Sequence, residues 1–149
     1  MKRKPNTGFT LIEALIVIGL LSLIGILGIP FYQSFQIQSQ LDTSTLIVLQ
    51  ALNSARIESL SSTNNADHGV RIEPHRIITF VGSTFAPSDP QNFSVDLPNS
   101  VALSTSFGAD IVFARRTGET LQTGTVSVSA LSTAHTLSIN ALGTVDQLN

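Results

Sequence analysis

The pattern of apolar residues divides the chain into two parts. From residue 9 to residue 29 the side chains are almost all apolar, and only Thr10, Glu13 and Ser22 interrupt them. A helix of about 21 residues rises by about 31 Å, which is close to the thickness of the hydrocarbon core of a bilayer. The pattern therefore predicts a transmembrane helix over residues 9–29.

Beyond this segment the apolar residues recur at helical spacing and predict an amphipathic continuation over residues 30–60. The predicted stripe consists of Phe31, Phe35, Leu41, Thr45, Leu49, Leu52, Arg56 and Leu60, widened by Leu46 and Ile57. Pro30 has no amide hydrogen and disfavours helix at the residue before it. We therefore expect a kink or a break at Pro30, which need not be the end of the helix. The polar run at 61–65 ends the helix near Leu60.

From His68 onward the apolar residues alternate with polar ones, as in strands whose faces differ. Predicted strands cover residues 68–73, 76–81, 93–97, 101–105, 110–114, 124–130 and 134–140, and a last turn and strand begin near Leu142. Short strands at this spacing are typical of an antiparallel sandwich. The predicted fold class is α+β: a long N-terminal helix packed on a small β-sandwich head over residues 61–149.

A basic leader precedes the apolar segment. Lys2, Arg3 and Lys4 predict a cytoplasmic N-terminus, with the head on the far side of the membrane. The apolar run is longer than the core of a secretory signal, and no A-x-A cleavage site follows it. The small-residue junction near the charges is Gly8-Phe9. Cleavage there would remove a leader of residues 1–8 and keep the helix.

Glu13 is a carboxylate inside the apolar segment, and two interpretations are open. Thr10 and Glu13 have the spacing of a capping box, and an acid also favours the positive end of the helix dipole. A charge at mid-membrane costs about 2.5–3.5 kcal/mol and usually has a partner. Cleavage after Gly8 would create that partner in the free amine of Phe9.

The sequence GFTLIE at residues 8–13, followed by an apolar helix and Pro30, resembles the class III signal of type IV pilins and type II secretion pseudopilins. The resemblance implies that a prepilin peptidase cuts after Gly8 and that Phe9 is N-methylated. It implies that Glu13 pairs with the N-terminus of a neighbouring subunit during assembly. Pro30 then lies where the helix is often melted in filaments.

The C-terminal part resembles the head of the GspH/FimT group of minor pilins and pseudopilins. The motifs that carry this resemblance are IVF at 111–113, Gly118, GTV at 124–126, LSIN at 137–140 and GTV at 143–145. Some FimT-like members bind DNA through a basic C-terminal region. Residues 143–149 depart from that pattern, because they contain one acid, Asp146, and no cation.

The amino-acid composition limits the classes of function that remain possible. The chain has no cysteine, which excludes disulfides and thiol catalysis. Loss of Lys2, Arg3 and Lys4 with the leader takes the net side-chain charge from −2 to −5, which disfavours nucleic acid. His68, His75 and His135 lack metal-ligand spacing, and Arg115-Arg116 indicates either an anion contact or a solvated turn. The sequence predicts no enzyme, no cofactor and no metal site.

Together these patterns predict a structural minor pilin or pseudopilin of the cytoplasmic membrane, later assembled into a type IV pilus or a type II secretion pseudopilus. The resemblance implies as partners other pilins or pseudopilins, the prepilin peptidase, an inner-membrane assembly platform with its ATPase, and membrane lipid before assembly. The alternative function is a DNA-binding minor pilin of a competence pilus.

Overall fold

One long helix, α1, spans Leu11–Leu60 and confirms the predicted helical N-terminal part. The computed structural model describes residues 8–148, and the side chains among them except those of 27–31. Positions 1–7 of the predicted leader lie outside the described residues. The chain separates into two compact units, of which the first ends at Gln36 and the second begins at Ile37.

The end of α1 lies where the polar run predicted it. The amide of Ser61 donates to the carbonyl oxygen of Ile57 at 2.9 Å, and Ser62 then adopts a left-handed conformation with φ of 54°. That left-handed residue stops the helical hydrogen-bond pattern. A single 3₁₀ turn, Thr63–Asn65, leads from the helix to the first strand.

Helix α1 continues through position 30. The helix therefore does not end at Pro30, and the kink or break expected there stays a prediction. Within the described residues, no helix combines the length and the apolar character that crossing a membrane needs. The transmembrane segment at 9–29 therefore also stays a prediction.

The rest of the chain forms two antiparallel sheets of four strands. The strands are β1 (His68–Glu73), β2 (Arg76–Val81), β3 (Phe93–Asp96), β4 (Ala102–Thr105), β5 (Asp110–Phe113), β6 (Gly124–Ala130), β7 (Thr133–Ile139) and β8 (Val145–Leu148). The first sheet has the order β3-β2-β1-β5 and the second the order β4-β6-β7-β8. The predicted α+β fold is thereby confirmed.

The core of the second unit lies between α1 and the two sheets. From the helix it takes Leu41, Val48, Leu52 and Ala55, and from the strands it takes Val70, Ile111, Phe113, Val126, Val128 and Leu137. The alternation predicted for β6 is visible here, because Val126 and Val128 are buried while Thr125, Ser127 and Ser129 are partly exposed. The buried helix stripe differs from the predicted one, since Leu46 and Ile57 are both exposed.

Candidate functional site

The predicted cleavage junction is an accessible, non-helical segment. Gly8 and Phe9 precede the helix, and Phe9 is 81% exposed. A Cβ added at Gly8 would meet no atom within 4 Å. An enzyme that must reach the peptide bond between these two residues would find the backbone uncovered by the described part of the chain.

Thr10 caps the first turn of α1. Its hydroxyl accepts a hydrogen bond from the amide of Glu13 at 3.4 Å, and its carbonyl oxygen accepts one from the amide of Ala14 at 3.2 Å. This is the threonine half of the predicted capping box, which satisfies an amide that would otherwise lack a partner. The cap uses the main chain of Glu13 and leaves its carboxylate free.

The Glu13 carboxylate is exposed on the first turn, four positions after Phe9. Within residues 8–148 it makes no hydrogen bond or ion pair. A carboxylate at this end of a helix lies in the favourable part of the helix dipole.

Helix α1 carries large exposed apolar side chains around its whole circumference before position 27. They include Leu11, Ile12, Leu15, Ile16, Ile18, Leu20, Leu21, Leu23, Ile24 and Ile26. The hydroxyl of Ser22 donates to the carbonyl oxygen of Ile18 at 2.8 Å, so this polar group is satisfied inside the helix. A helix that is apolar all round suits lipid or a bundle of helices.

The three histidines lie apart and make separate contacts. His68 is buried, with Nδ1 at 2.9 Å from a carboxylate oxygen of Glu58 and Nε2 at 3.0 Å from the carbonyl oxygen of Thr63. Nδ1 of His75 lies 2.7 Å from the carbonyl oxygen of Val101. His135 contacts Asp42 through Nε2 at 3.1 Å. The described residues contain no cluster of His, Cys, Asp or Glu that could hold a metal ion.

The arginines of β1 and β2 are held by acids. The Arg71 guanidinium lies 3.2 Å from both carboxylate oxygens of Asp110, and it stacks 4.5 Å above the ring of Phe85. Arg76 donates to Asp96, and this hydrogen bond, with the negative charge of Asp96, raises the pKa of Arg76 above its ordinary value. Each of these two cations is thus paired with a carboxylate of the neighbouring strand.

The pair Arg115-Arg116 forms part of a turn. The Arg115 guanidinium donates to the carbonyl oxygen of Asn65 at 2.7 Å, and its amide donates to Asp67 at 2.8 Å. Arg116 has a left-handed backbone with φ of 72°, and its amide donates to the carbonyl oxygen of Ser59. The pair therefore fixes the turn after β5 against the end of α1, and the Arg116 side chain is the exposed one.

The surface of the second unit also has a groove that no sequence pattern predicts. A groove of about 410 Å³ lies beside β3, between the flank of α1 and the first sheet. Its lining residues come from three segments far apart in the sequence, so no local pattern marks it.

Comparison with known proteins supports the N-terminal motif and the fold. The family model described as "Prokaryotic N-terminal methylation motif" matches residues 3–29. A structure of the minor pseudopilin EpsH from the type 2 secretion system of Vibrio cholerae matches with 19% identity and a TM-score of 0.56, over 73% of this chain and 96% of that chain. A crystal structure of EpsH from the same system matches with 18% identity and a TM-score of 0.56, over 74% and 94%.

At these identities the structural likeness shows the fold, and the motif match covers the N-terminal segment. The two findings fall on the two parts of the chain where the sequence carried its resemblance. They confirm the predicted resemblance to type IV pilins and pseudopilins: this chain carries a prokaryotic N-terminal methylation motif over residues 3–29 and shares the fold of the minor pseudopilin EpsH.

Proposed function

We propose that this protein is a structural minor pilin or pseudopilin, made as a precursor, cleaved between Gly8 and Phe9 and methylated on the new amine of Phe9. The observation that carries the proposal is the motif match over residues 3–29 together with the exposed junction at Gly8-Phe9. The fold shared with EpsH supports the minor-pseudopilin assignment of the head.

The apolar part of α1 would occupy two successive environments. Before assembly, residues 9–29 would lie in the cytoplasmic membrane as a single pass, with the N-terminus in the cytoplasm and the head outside it. During assembly the same surface would pack against helices of other pilins or pseudopilins. Its exposed apolar side chains support both steps, because lipid and apolar helices suit the same surface.

Glu13 would provide the contact to the N-terminus of a neighbouring subunit. Its free carboxylate is proposed to pair with the methylated amine of Phe9 of a neighbouring subunit, since a charge left unpaired in an apolar environment is costly. The prepilin peptidase, the assembly platform and the assembly ATPase would act on this chain rather than be part of it. The protein itself would have no catalytic activity.

Intact-mass measurement of the membrane-extracted protein tests the processing step. We expect the wild-type protein to have lost residues 1–8 and to carry one added methyl group. Gly8→Val should keep the leader, because a branched side chain would crowd the backbone that the peptidase must reach. Thr7→Ala is the matched control, since it changes the neighbouring residue and retains the glycine. A wild-type chain that keeps residues 1–8 in its native host would refute the proposal.

A further inference from the structure

Strand β3 (Phe93–Asp96) is an edge strand of the first sheet. It pairs with β2 on one side, with Phe93 opposite Thr79 and Val95 opposite Ile77. Ile77 is a core residue, so Phe93 and Val95 lie on the same face of the sheet as the core. Ser94 and Asp96 lie on the opposite face, because successive strand residues alternate.

The hydrogen bonds of β3 leave one edge free. The amide of Leu97 donates to the carbonyl oxygen of His75, which fixes the phase of the ladder between β2 and β3. Main-chain groups alternate in direction along an antiparallel strand, so those of Phe93 and Val95 also point toward β2. Those of Ser94 and Asp96 then point to the other side, where no described strand pairs with them.

The core face of this edge is only partly covered, and Val95 on that face is half-buried. α1 protects Ile77, but the sheet extends beyond the helix, and Phe93 is 66% exposed. The result is the groove of about 410 Å³, with a largely apolar lining that includes Ile47, Ala51, Ala55, Phe93 and Val95. Since a cavity of about 150 Å³ can hold a benzene-sized group, this groove has room for several apolar side chains.

A strand added to β3 would pair with the free edge and fill the groove at the same time. Neighbouring strands lie about 4.8 Å apart, so the next strand would continue the sheet beyond β3, with one of its faces on the groove side. Its main chain would bond to Ser94 and Asp96, and every second side chain would enter the groove. A helix would leave the main-chain groups of the edge unpaired.

The charge of the groove indicates which charged side chain the added strand should carry. Glu58 lines it with a side chain that is 51% exposed, although His68 contacts the same carboxylate. Gln50 and Ser54 add polar groups without charge. A lysine or arginine in the incoming segment would complement Glu58. A second copy of β3 offers no cation, because its one charged residue is Asp96.

We propose that this groove docks an extended segment of another protein, which adds as a strand to the free edge of β3, places alternate apolar side chains beside Phe93 and brings a basic residue to Glu58. The interaction does not depend on cleavage at Gly8 or on filament assembly. It gives the head a partner surface separate from the apolar part of α1.

A binding titration on the full chain in detergent micelles tests the proposal. The probe is a fluorescent capped peptide, Lys-Thr-Val-Thr-Val-Thr-Lys, whose two valines and two lysines share one face of a strand, and the readout is its anisotropy. We expect saturable binding that Ser94→Pro weakens at least about tenfold, because proline removes the edge amide and adds bulk there without touching a bond to β2. Ser94→Ala is the matched control, which removes the hydroxyl but keeps the amide, and it should bind like the wild type.

Two altered peptides test the chemistry without changing the protein. N-methylation at alternate residues blocks main-chain hydrogen bonds and should abolish binding. Replacement of both lysines by glutamate should weaken binding at least about fivefold, since it places like charges beside Glu58. These peptides keep the proposal testable if Ser94→Pro fails to fold, which circular dichroism of the variant will reveal.

Three outcomes would overturn the proposal. One is the absence of saturable binding at peptide concentrations of about 1 mM, the weak end of specific recognition. Another is equal binding of the N-methylated peptide, which would mean that the groove takes apolar groups without adding a strand. The third is a dimer in sedimentation that Ser94→Pro dissolves, which would make a second copy the occupant.

Discussion

The hydroxyl of Ser59 accepts a hydrogen bond from the amide of His68 at 3.0 Å, which joins the last turn of α1 to β1. The same hydroxyl donates to the carbonyl oxygen of Phe113 in β5 at 2.9 Å. Ser59 is fully buried, and its own carbonyl oxygen accepts from the amide of Arg116. One small side chain thus connects the helix to two neighbouring strands.

We predict that Ser59→Ala lowers the free energy of unfolding by about 1–3 kcal/mol, because it removes the partner of two buried main-chain groups. Ser54→Ala is the matched control on the same helix, where the side chain is exposed, and it should change stability by less than about 0.5 kcal/mol. Urea unfolding followed by circular dichroism measures both. Equal stability of the two variants would show that the hydrogen bonds of Ser59 do not help to hold the end of the helix.

Gly143 lies in the turn before β8 with φ of 73°, and a Cβ there would overlap the carbonyl oxygen of Gly118. We predict that Gly143→Ala destabilises the head by at least about 2 kcal/mol, since it combines a left-handed backbone with a clash against main chain. Gly108→Ala is the control, because a Cβ at Gly108 meets nothing within 4 Å. Thermal unfolding should separate the variants, and similar midpoints would contradict the predicted clash.

The sequence predicted best what is determined locally. The hairpin of β1 and β2 has the predicted bounds, because both strands alternate and Pro74-His75 separates them. A last turn and strand were predicted to begin near Leu142, and the strand itself begins at Val145 because Gly143 still belongs to the turn. Short-range patterns therefore gave the strands, with errors of a few residues at their ends.

Features that depend on tertiary packing were predicted less well. The stripe assigned to the second half of α1 included Leu46 and Ile57, but the sheets cover Val48 and Ala55 instead. A polar residue such as Ser59 can be buried when main-chain groups of strands face it, and hydropathy gives no sign of this. The groove beside β3 was missed for the same reason, since it needs α1 and two strands to meet.

Duplex DNA should bind this protein weakly. Arg71 is bound by Asp110, Arg76 by Asp96 and Arg115 by Asn65, so few cations are free to replace counterions on phosphates. We predict that a gel-shift titration at physiological salt gives affinity no better than nonspecific binding, with Kd of about 10⁻⁴ to 10⁻⁶ M or weaker. The Arg115→Ala, Arg116→Ala double variant should behave like the wild type. Tight, salt-sensitive binding lost in the double variant would instead support the DNA-binding alternative.

The role of Glu13 can be separated from that of the helix cap, because the two use different atoms. The cap is formed by the hydroxyl of Thr10 and the amide of Glu13, and a glutamine retains that amide. If capping were the whole role, Glu13→Gln would enter filaments like the wild type. If the carboxylate pairs with the amine of Phe9 on a neighbour, the glutamine variant will be inserted and cleaved normally but assembled poorly, since the amine is left without its counter-charge.

Thr10→Ala is the complementary control. It removes the cap and keeps the charge, so it should cost about 0.5–2 kcal/mol of helix stability near the N-terminus while filament entry is largely retained. Glu13→Lys should assemble worst, because it brings two cations together. Co-purification with sheared filaments measures assembly, and the membrane fraction and the intact mass check insertion and cleavage. Wild-type incorporation of Glu13→Gln would reject charge pairing, whereas a loss in Thr10→Ala equal to that in Glu13→Gln would assign the effect to the first turn of the helix.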